Sequence, residues 1–170
     1  MGKRRRTART RTDHGAAAVE FALVLPILLL VVFGIISYGL FFNDSINTRQ
    51  GVREAARRVT VGNLTYPGCP TATTTTGGAN ATIKCITRSA VGALSGPAYV
   101  AVKPPATWAR GSAFTICAVV KPRNVIGLIP MPSAARSFTS MSIEVDNPAP
   151  AVTASADTLP AGLSWPTGCT

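Results

Sequence analysis

Residues 15–42 have the sequence GAAAVEFALVLPILLLVVFGIISYGLFF. From Phe21 to Phe42 this segment contains no charged residue. At 1.5 Å per residue, a helix over that range is about 33 Å long, enough to cross a hydrocarbon core of about 30 Å. In a chain of 170 residues, a helix that is apolar on every face is more typical of a membrane span than of a soluble core. We therefore predict a single transmembrane helix at residues 16–42.

The charges around this helix predict its orientation. The basic residues that precede it are Lys3, Arg4, Arg5, Arg6, Arg9 and Arg11. Basic residues that flank a transmembrane helix stay on the cytoplasmic side. Much of the net charge of +10 therefore reflects basic residues that orient the helix in the membrane. We predict a cell-membrane protein with a cytoplasmic N-terminus and an extracytoplasmic C-terminal part. A nucleic-acid-binding arm is the competing interpretation; because the leader has no aromatic residues on which bases could stack, no nucleic-acid partner is predicted.

The cysteines all lie beyond the predicted span, at Cys69, Cys85, Cys117 and Cys169. An even number of cysteines in an exported domain predicts two disulfides. Three pairings are possible, and we favour Cys69–Cys85 with Cys117–Cys169. The first would close a loop of about 15 residues, which the chain-entropy model values at about 3 kcal/mol. Free buried thiols are the alternative; without a C-x-x-C pair or a second histidine, no metal site is predicted.

The segment after the span, residues 43–61, is predicted to continue as an amphipathic stem helix, although Asn43–Ser45 could cap or interrupt it. Val52, Ala56 and Val59 recur at helical spacing, with arginines elsewhere on the surface. Glu54 and Arg58 are spaced for an i,i+4 ion pair. The apolar stripe would pack either on the C-terminal domain or on equivalent helices in an assembly.

The remaining residues, 62–170, predict a small sheet packed against the stem, so that the fold class is α+β with a long N-terminal helix. The last strand alternates clearly, so one of its faces would be buried and the other exposed to solvent. The two sets are Phe138, Ser140, Ser142 and Glu144 on one side and Thr139, Met141, Ile143 and Val145 on the other. The connection at 122–132 is apolar and bounded by prolines, and the tail from residue 147 is expected to be irregular, with Trp165 and Cys169 returning it to the domain. The β-like runs are Ala81–Thr87, Tyr99–Lys103, Phe114–Lys121 and Phe138–Val145, with a short helix at Ser89–Leu94.

The N-terminal part of the chain resembles a known family. A basic leader, Gly15, small residues, Glu20 and a long apolar helix together resemble the class III signal of type IV pilins and pseudopilins. Within that group, residues 15–39 and the segment QGVREAARRV at 50–59 resemble TadE-like proteins of the tight-adherence (Flp pilus) systems. Those proteins carry a G-x-x-x-x-E-F junction, a Leu-Pro early in the helix and an A-R-E-G-A-R-like segment outside the membrane. Here Ala55 stands where that last motif usually has glycine.

The resemblance implies a processing and assembly mechanism. Residues 1–15 would be a prepilin-type leader, removed by a prepilin peptidase that cuts between Gly15 and Ala16. Glu20 would then set the helix register by pairing with the freed Ala16 ammonium of a neighbouring copy. The implied partners are membrane lipid, the prepilin peptidase, other pilins or pseudopilins and pilus assembly proteins. A secretory signal peptide is the rival model, but its apolar region would be shorter than this one.

No catalytic constellation is recognisable in the sequence. The one histidine precedes the span, and Glu144 with Asp146 is more typical of a solvated strand edge than of an acid–base pair. We therefore predict neither an enzyme nor a cofactor. The predicted function is that of a TadE-like minor pilin or pseudopilin, and the alternative is a membrane-tethered extracytoplasmic binding module that never joins a pilus.

Overall fold

The structure is a computed structural model that describes residues 14–72, 78–123, 130–145 and 152–169. The chain forms two compact units, Met1–Ile36 and Ser37–Thr170, which we call the N-terminal unit and the globular unit. The elements in chain order are α1 (His14–Thr60), α2 (Gly78–Val91), β1 (Ala98–Lys103), β2 (Ala113–Val120), β3 (Ala135–Ser142) and β4 (Ser155–Ala156). The predicted fold class, α+β with a long N-terminal helix, is confirmed.

In the N-terminal unit, α1 is apolar and exposed on every face. Pro26 lies inside the helix without ending it. The helix is long and apolar enough to cross a membrane, and no residue in its most apolar 18-residue window is buried. Leu23 is 73% exposed and Ile35 is 69% exposed, which in water would be a large cost. These properties are consistent with a single-pass membrane protein.

The globular unit is built on a four-stranded antiparallel sheet in the order β3-β2-β1-β4. The predicted strands at 99–103, 114–121 and 138–145 are confirmed as β1, β2 and β3, with β3 beginning and ending three residues earlier. The inner face of the sheet contributes Val100, Phe114 and Ile116 to the hydrophobic core. In the last predicted strand Ile143 is buried and Phe138 is half exposed, so the predicted alternation is also confirmed.

The stem part of α1 closes this core. Val52, Ala56 and Val59 are completely buried in the same cluster as the sheet residues. The apolar stripe therefore packs on its own domain, which decides between the two alternatives left open by the sequence. Glu54 and Arg58 form the predicted pair, with Nε and Oε1 2.7 Å apart, and Arg58 also lies 5.1 Å from the centre of the Tyr66 ring.

Residues 43–45 do not interrupt the helix. Asp44 is fully buried, and its carboxylate accepts hydrogen bonds from the Leu94 and Ser95 N–H groups, at 2.9 and 3.0 Å, and from the Ser95 hydroxyl. The carboxylate therefore does not cap α1; it binds the loop that follows α2. Earlier in the same helix Ser37 is already buried, and the Tyr38 hydroxyl donates to the Pro130 carbonyl at 2.6 Å.

The strand predicted at Ala81–Thr87 is wrong, because these residues form the middle of helix α2. Their β-branched side chains favour a strand locally, but buried positions such as Ala79, Ile83 and Ile86 recur every three or four residues and place one helical face on the core. The helix predicted at Ser89–Leu94 is wrong beyond Val91. Gly92 follows with a φ of +51°, a left-handed conformation that ends the helix.

The C-terminal tail pairs with the sheet before it crosses to β2. The sequence predicts an irregular tail, but Ser155 and Ala156 form β4 on the edge of β1. Further on, Cys169 is joined to Cys117 of β2, with Cα atoms 6.2 Å apart. The second pair, Cys69 and Cys85, has a Cα separation of 5.6 Å and attaches the loop after the stem to α2. These are the two pairs favoured from the sequence.

Asp157 holds the start of this tail by ionic and backbone contacts. Its carboxylate lies 3.1 Å from Lys84 Nζ and 2.5 Å from Arg88 Nη2, and it accepts the Val100 N–H at 2.8 Å. Burial by itself raises the pKa of Asp157, but the Val100 hydrogen bond and the contacts with Lys84 and Arg88 outweigh it and hold the pKa below its ordinary value. The tail is therefore bound to α2 and β1 by a charged carboxylate.

Three predictions lie partly or wholly outside the described residues. The leader is described only from His14, the apolar connection is interrupted at 124–129, and Asp146 of the carboxylate pair is not included. Glu144 is exposed, and its N–H donates to the Thr60 carbonyl at 3.1 Å.

Candidate processing and assembly site

Gly15, Ala16 and Glu20 lie in the first two turns of α1. The helix begins at His14, and residues 15–20 are exposed. A Cβ atom built on Gly15 would meet no other atom within 4 Å. Among the described residues, packing therefore does not require a glycine at this position.

Ala16 and Glu20 are one helical turn apart on the same face. Four residues correspond to a rise of about 6 Å, and side chains at i and i+4 are neighbours. If the peptide bond before Ala16 were cut, its new ammonium group would lie on the Glu20 side of the helix. The same geometry allows the carboxylate to pair with this ammonium or with that of a neighbouring copy.

Glu20 is not part of any ion pair found within the described ranges, all of which lie in the globular unit. A carboxylate near the end of a membrane-spanning segment is expensive unless it stays at the interface or finds a partner. Its neighbours along the helix, Val19 and Phe21, are both at least 60% exposed. An exposed carboxylate in an apolar helical surface is suited to pairing between packed helices.

A second exposed feature lies on the stem, where the sequence alone leaves its orientation open. Arg49, Arg53 and Arg57 are all exposed and follow one another at four-residue spacing, and we call them the arginine stripe. The spacing is visible in the sequence, but whether these residues or the apolar ones face outward depends on where the domain packs. Because the apolar side is buried, the arginine stripe is the outer face of the stem.

Other surfaces of the globular unit offer little for chemistry. A cleft of about 320 Å³ lies between the two ends of the 122–132 connection and the tail, and its lining includes Pro122, Met131, Pro132 and Leu163. Its lining includes Lys121 but no acid or histidine among the described residues. Within the described ranges, no group of three or more His, Cys, Asp or Glu residues is placed to hold a metal ion.

These features define a class: a protein whose long N-terminal apolar helix, consistent with a single membrane span, continues into the core of a small disulfide-containing α+β domain. Residues 15–57 match the family model described as TadE-like protein, which confirms the family resemblance over that range. The match contains Gly15, Ala16, Glu20 and the arginine stripe, and suggests a minor pilin associated with a Tad pilus. It does not extend into residues 62–170. No curated protein and no solved structure matches the chain.

Proposed function

We propose that this protein is a TadE-like minor pilin or pseudopilin that takes part in assembling a tight-adherence (Flp-type) pilus or a related secretion machinery. The observation that carries the proposal is the family match at 15–57, which covers an exposed glycine–alanine junction, Glu20 and an apolar helix with no buried residue in its most apolar window. The protein is the substrate of a prepilin peptidase and not itself an enzyme. Its basic leader stays in the cytoplasm, and the globular unit lies outside.

In this mechanism, cleavage after Gly15 leaves the helix in the membrane and creates an ammonium group at Ala16. Glu20 sets the register between neighbouring helices by pairing with that charge. The pairing is effective because a charge pair in a low-dielectric surrounding is much stronger than one in water. The apolar side chains from Phe21 onward supply the contact surface for the other helices.

The first prediction concerns processing at Gly15. We expect the protein purified from its native membrane to begin at Ala16, as measured by intact mass and N-terminal sequencing. Gly15→Val should retain the leader, because the peptidase must accept the residue at the cut. Gly39→Val is the matched control, since a Cβ at either glycine meets nothing within 4 Å. A wild-type chain that keeps its leader would contradict the proposal and favour the membrane-tethered binding module.

The second prediction concerns Glu20. Glu20→Ala should insert into the membrane normally, because it removes a charge from an apolar helix, yet reduce pilus or secretion output by about tenfold, equivalent to the loss of about 1.4 kcal/mol. Glu54→Ala removes the same charge from the same helix at an ion pair within the globular unit and should leave output unchanged. Undiminished output from Glu20→Ala would refute the assigned role.

A further inference from the structure

The arginine stripe is a cationic surface that the described protein does not neutralise. Arg49, Arg53 and Arg57 span about 12 Å of helix at four-residue spacing. None of them takes part in the ion pairs found within the described ranges, whereas the neighbouring Arg58 is held by Glu54 and by the Tyr66 ring. Like charges at i,i+4 destabilise a helix by a small amount per pair. The stripe therefore has a small cost in the isolated chain.

A stabilising role at the helix end explains only one of these residues. Arg57 lies in the last turn of α1, where a cation interacts favourably with the helix dipole. That effect falls off within the last turn, so it does not extend to Arg53 or Arg49. The helix dipole therefore does not account for the alignment of all three arginines.

The lipid surface is too far away to be that ligand. If the span ends at Phe42, Arg49 lies about 10 Å and Arg57 about 22 Å beyond it along the helix. The polar layer of one leaflet is about 5–8 Å thick, so anionic headgroups would reach no further than the first arginine. Phe42 and Ile46 are 60% and 54% exposed and lie on the same side of the helix as the arginine stripe. They form an apolar contact surface on its N-terminal side.

A second copy of this chain cannot supply the missing negative charge. Beyond the span its acids are Asp44, Glu54, Glu144, Asp146 and Asp157. Asp44 is buried, and Glu54 and Asp157 are already in ion pairs. Glu144 and Asp146 remain, and two carboxylates cannot pair one for one with three arginines.

We propose that the arginine stripe is the docking surface for an acidic helix of a different protein, with carboxylates repeated every four residues and apolar residues that cover Phe42 and Ile46. Carboxylates at i, i+4 and i+8 of a helix rise by about 6 Å per step, which is the spacing of the arginines in the stripe. The inference depends on the globular unit alone and not on cleavage after Gly15, so it can fail while the proposed function stands.

The test uses the full-length protein in detergent and a labelled synthetic helical peptide with Glu at i, i+4 and i+8 and Leu in the adjoining turn. The stripe variant is Arg49→Glu with Arg53→Glu and Arg57→Glu. Its matched control, Lys121→Glu with Arg123→Glu and Arg136→Glu, changes the net charge equally at exposed sites elsewhere. We expect the stripe variant to weaken binding about tenfold or more and the control to change it less than about twofold.

A peptide of the same composition with its glutamates out of helical register should bind more weakly than the regular one. Equal loss of binding in both variants, or equal binding of both peptides, would overturn the proposal in favour of simple charge attraction. Vesicles containing phosphatidylglycerol, or a single-stranded oligonucleotide, would overturn it if either bound more tightly than the peptide and lost that binding in the stripe variant.

A photo-crosslinker at the exposed Gln50 in native membranes should join a different chain; a cross-linked homodimer would overturn the choice of partner.

Discussion

Gly51→Ala is expected to destabilise the globular unit by about 3 kcal/mol, near the upper end for overpacked core positions. A Cβ atom at Gly51 would lie 2.5 Å from the Val91 backbone nitrogen, 2.6 Å from the Val91 Cα and 2.7 Å from the Ala90 carbonyl carbon. These are backbone atoms, so the end of α2 would have to move away from α1 and open the core between them. The measurement is thermal unfolding in detergent followed by circular dichroism, where the Tm should fall by about 10 °C or more.

Gly39→Ala is the control for this experiment. It makes the same chemical change in the same helix, at a position where a Cβ meets nothing within 4 Å. Because alanine favours helix over glycine, its Tm should be equal to or slightly above that of the wild type. A Gly51→Ala protein with the wild-type Tm would show that α1 and α2 do not approach closely at Val91.

Asp44→Ala should have an effect of similar size, about 4 kcal/mol, for an electrostatic reason. The buried carboxylate is the acceptor for two backbone N–H groups, of Leu94 and Ser95, and for the Ser95 hydroxyl. Its removal takes the acceptor away from these part-buried donors and releases the loop after α2. Hydrogen exchange at the Leu94 and Ser95 amides should become much faster than in the wild type.

Two further variants separate the hydrogen bonds from general damage to the stem. Asn43→Ala alters the neighbouring exposed residue, whose side chain bonds locally to Asn47, and should leave exchange at the loop unchanged. Asp44→Asn retains one acceptor oxygen but places an NH₂ group among donors, so its effect should be intermediate. If Asp44→Ala left both amides protected, the carboxylate would not be what binds this loop.

The α1 helix shows how far local pattern can predict this fold. An uninterrupted apolar run predicts a helix regardless of what surrounds it, because every backbone group is satisfied within the helix itself. The Glu54–Arg58 pair is also local, since both residues belong to one turn. The strands β1 to β3 are predictable because alternating or continuous apolar runs are bounded by proline and glycine.

Helix α2 shows where local pattern fails. This helix contains four β-branched residues of the kind typical of strands, at Thr82, Ile83, Ile86 and Thr87. In so short a segment, the helical spacing of its apolar residues is too weak a signal to outweigh that strand preference. Its helical conformation is stabilised by burying one face against the core beside Gly51. The same limitation applies to Asp44. An aspartate at this position is typical of a helix cap, but here its buried carboxylate binds a loop, because backbone N–H groups fifty residues later in the chain donate to it.

At the candidate site, Gly15, Ala16 and Glu20 are predicted from the family resemblance, and the structure adds that they are exposed on one continuous helix. The outward face of the stem could not be predicted in this way. An amphipathic helix has two usable faces, and which one remains free depends on where the rest of the chain packs.

Residue pattern was therefore sufficient for the long apolar helix, the family resemblance and most of the sheet, since each depends on neighbours in sequence. Tertiary packing decided that 78–91 is a helix, that Asp44 is buried and that the arginines of the stem face outward. Each of these outcomes depends on contacts between residues far apart in the chain, whose energies exceed local preference once the core is formed.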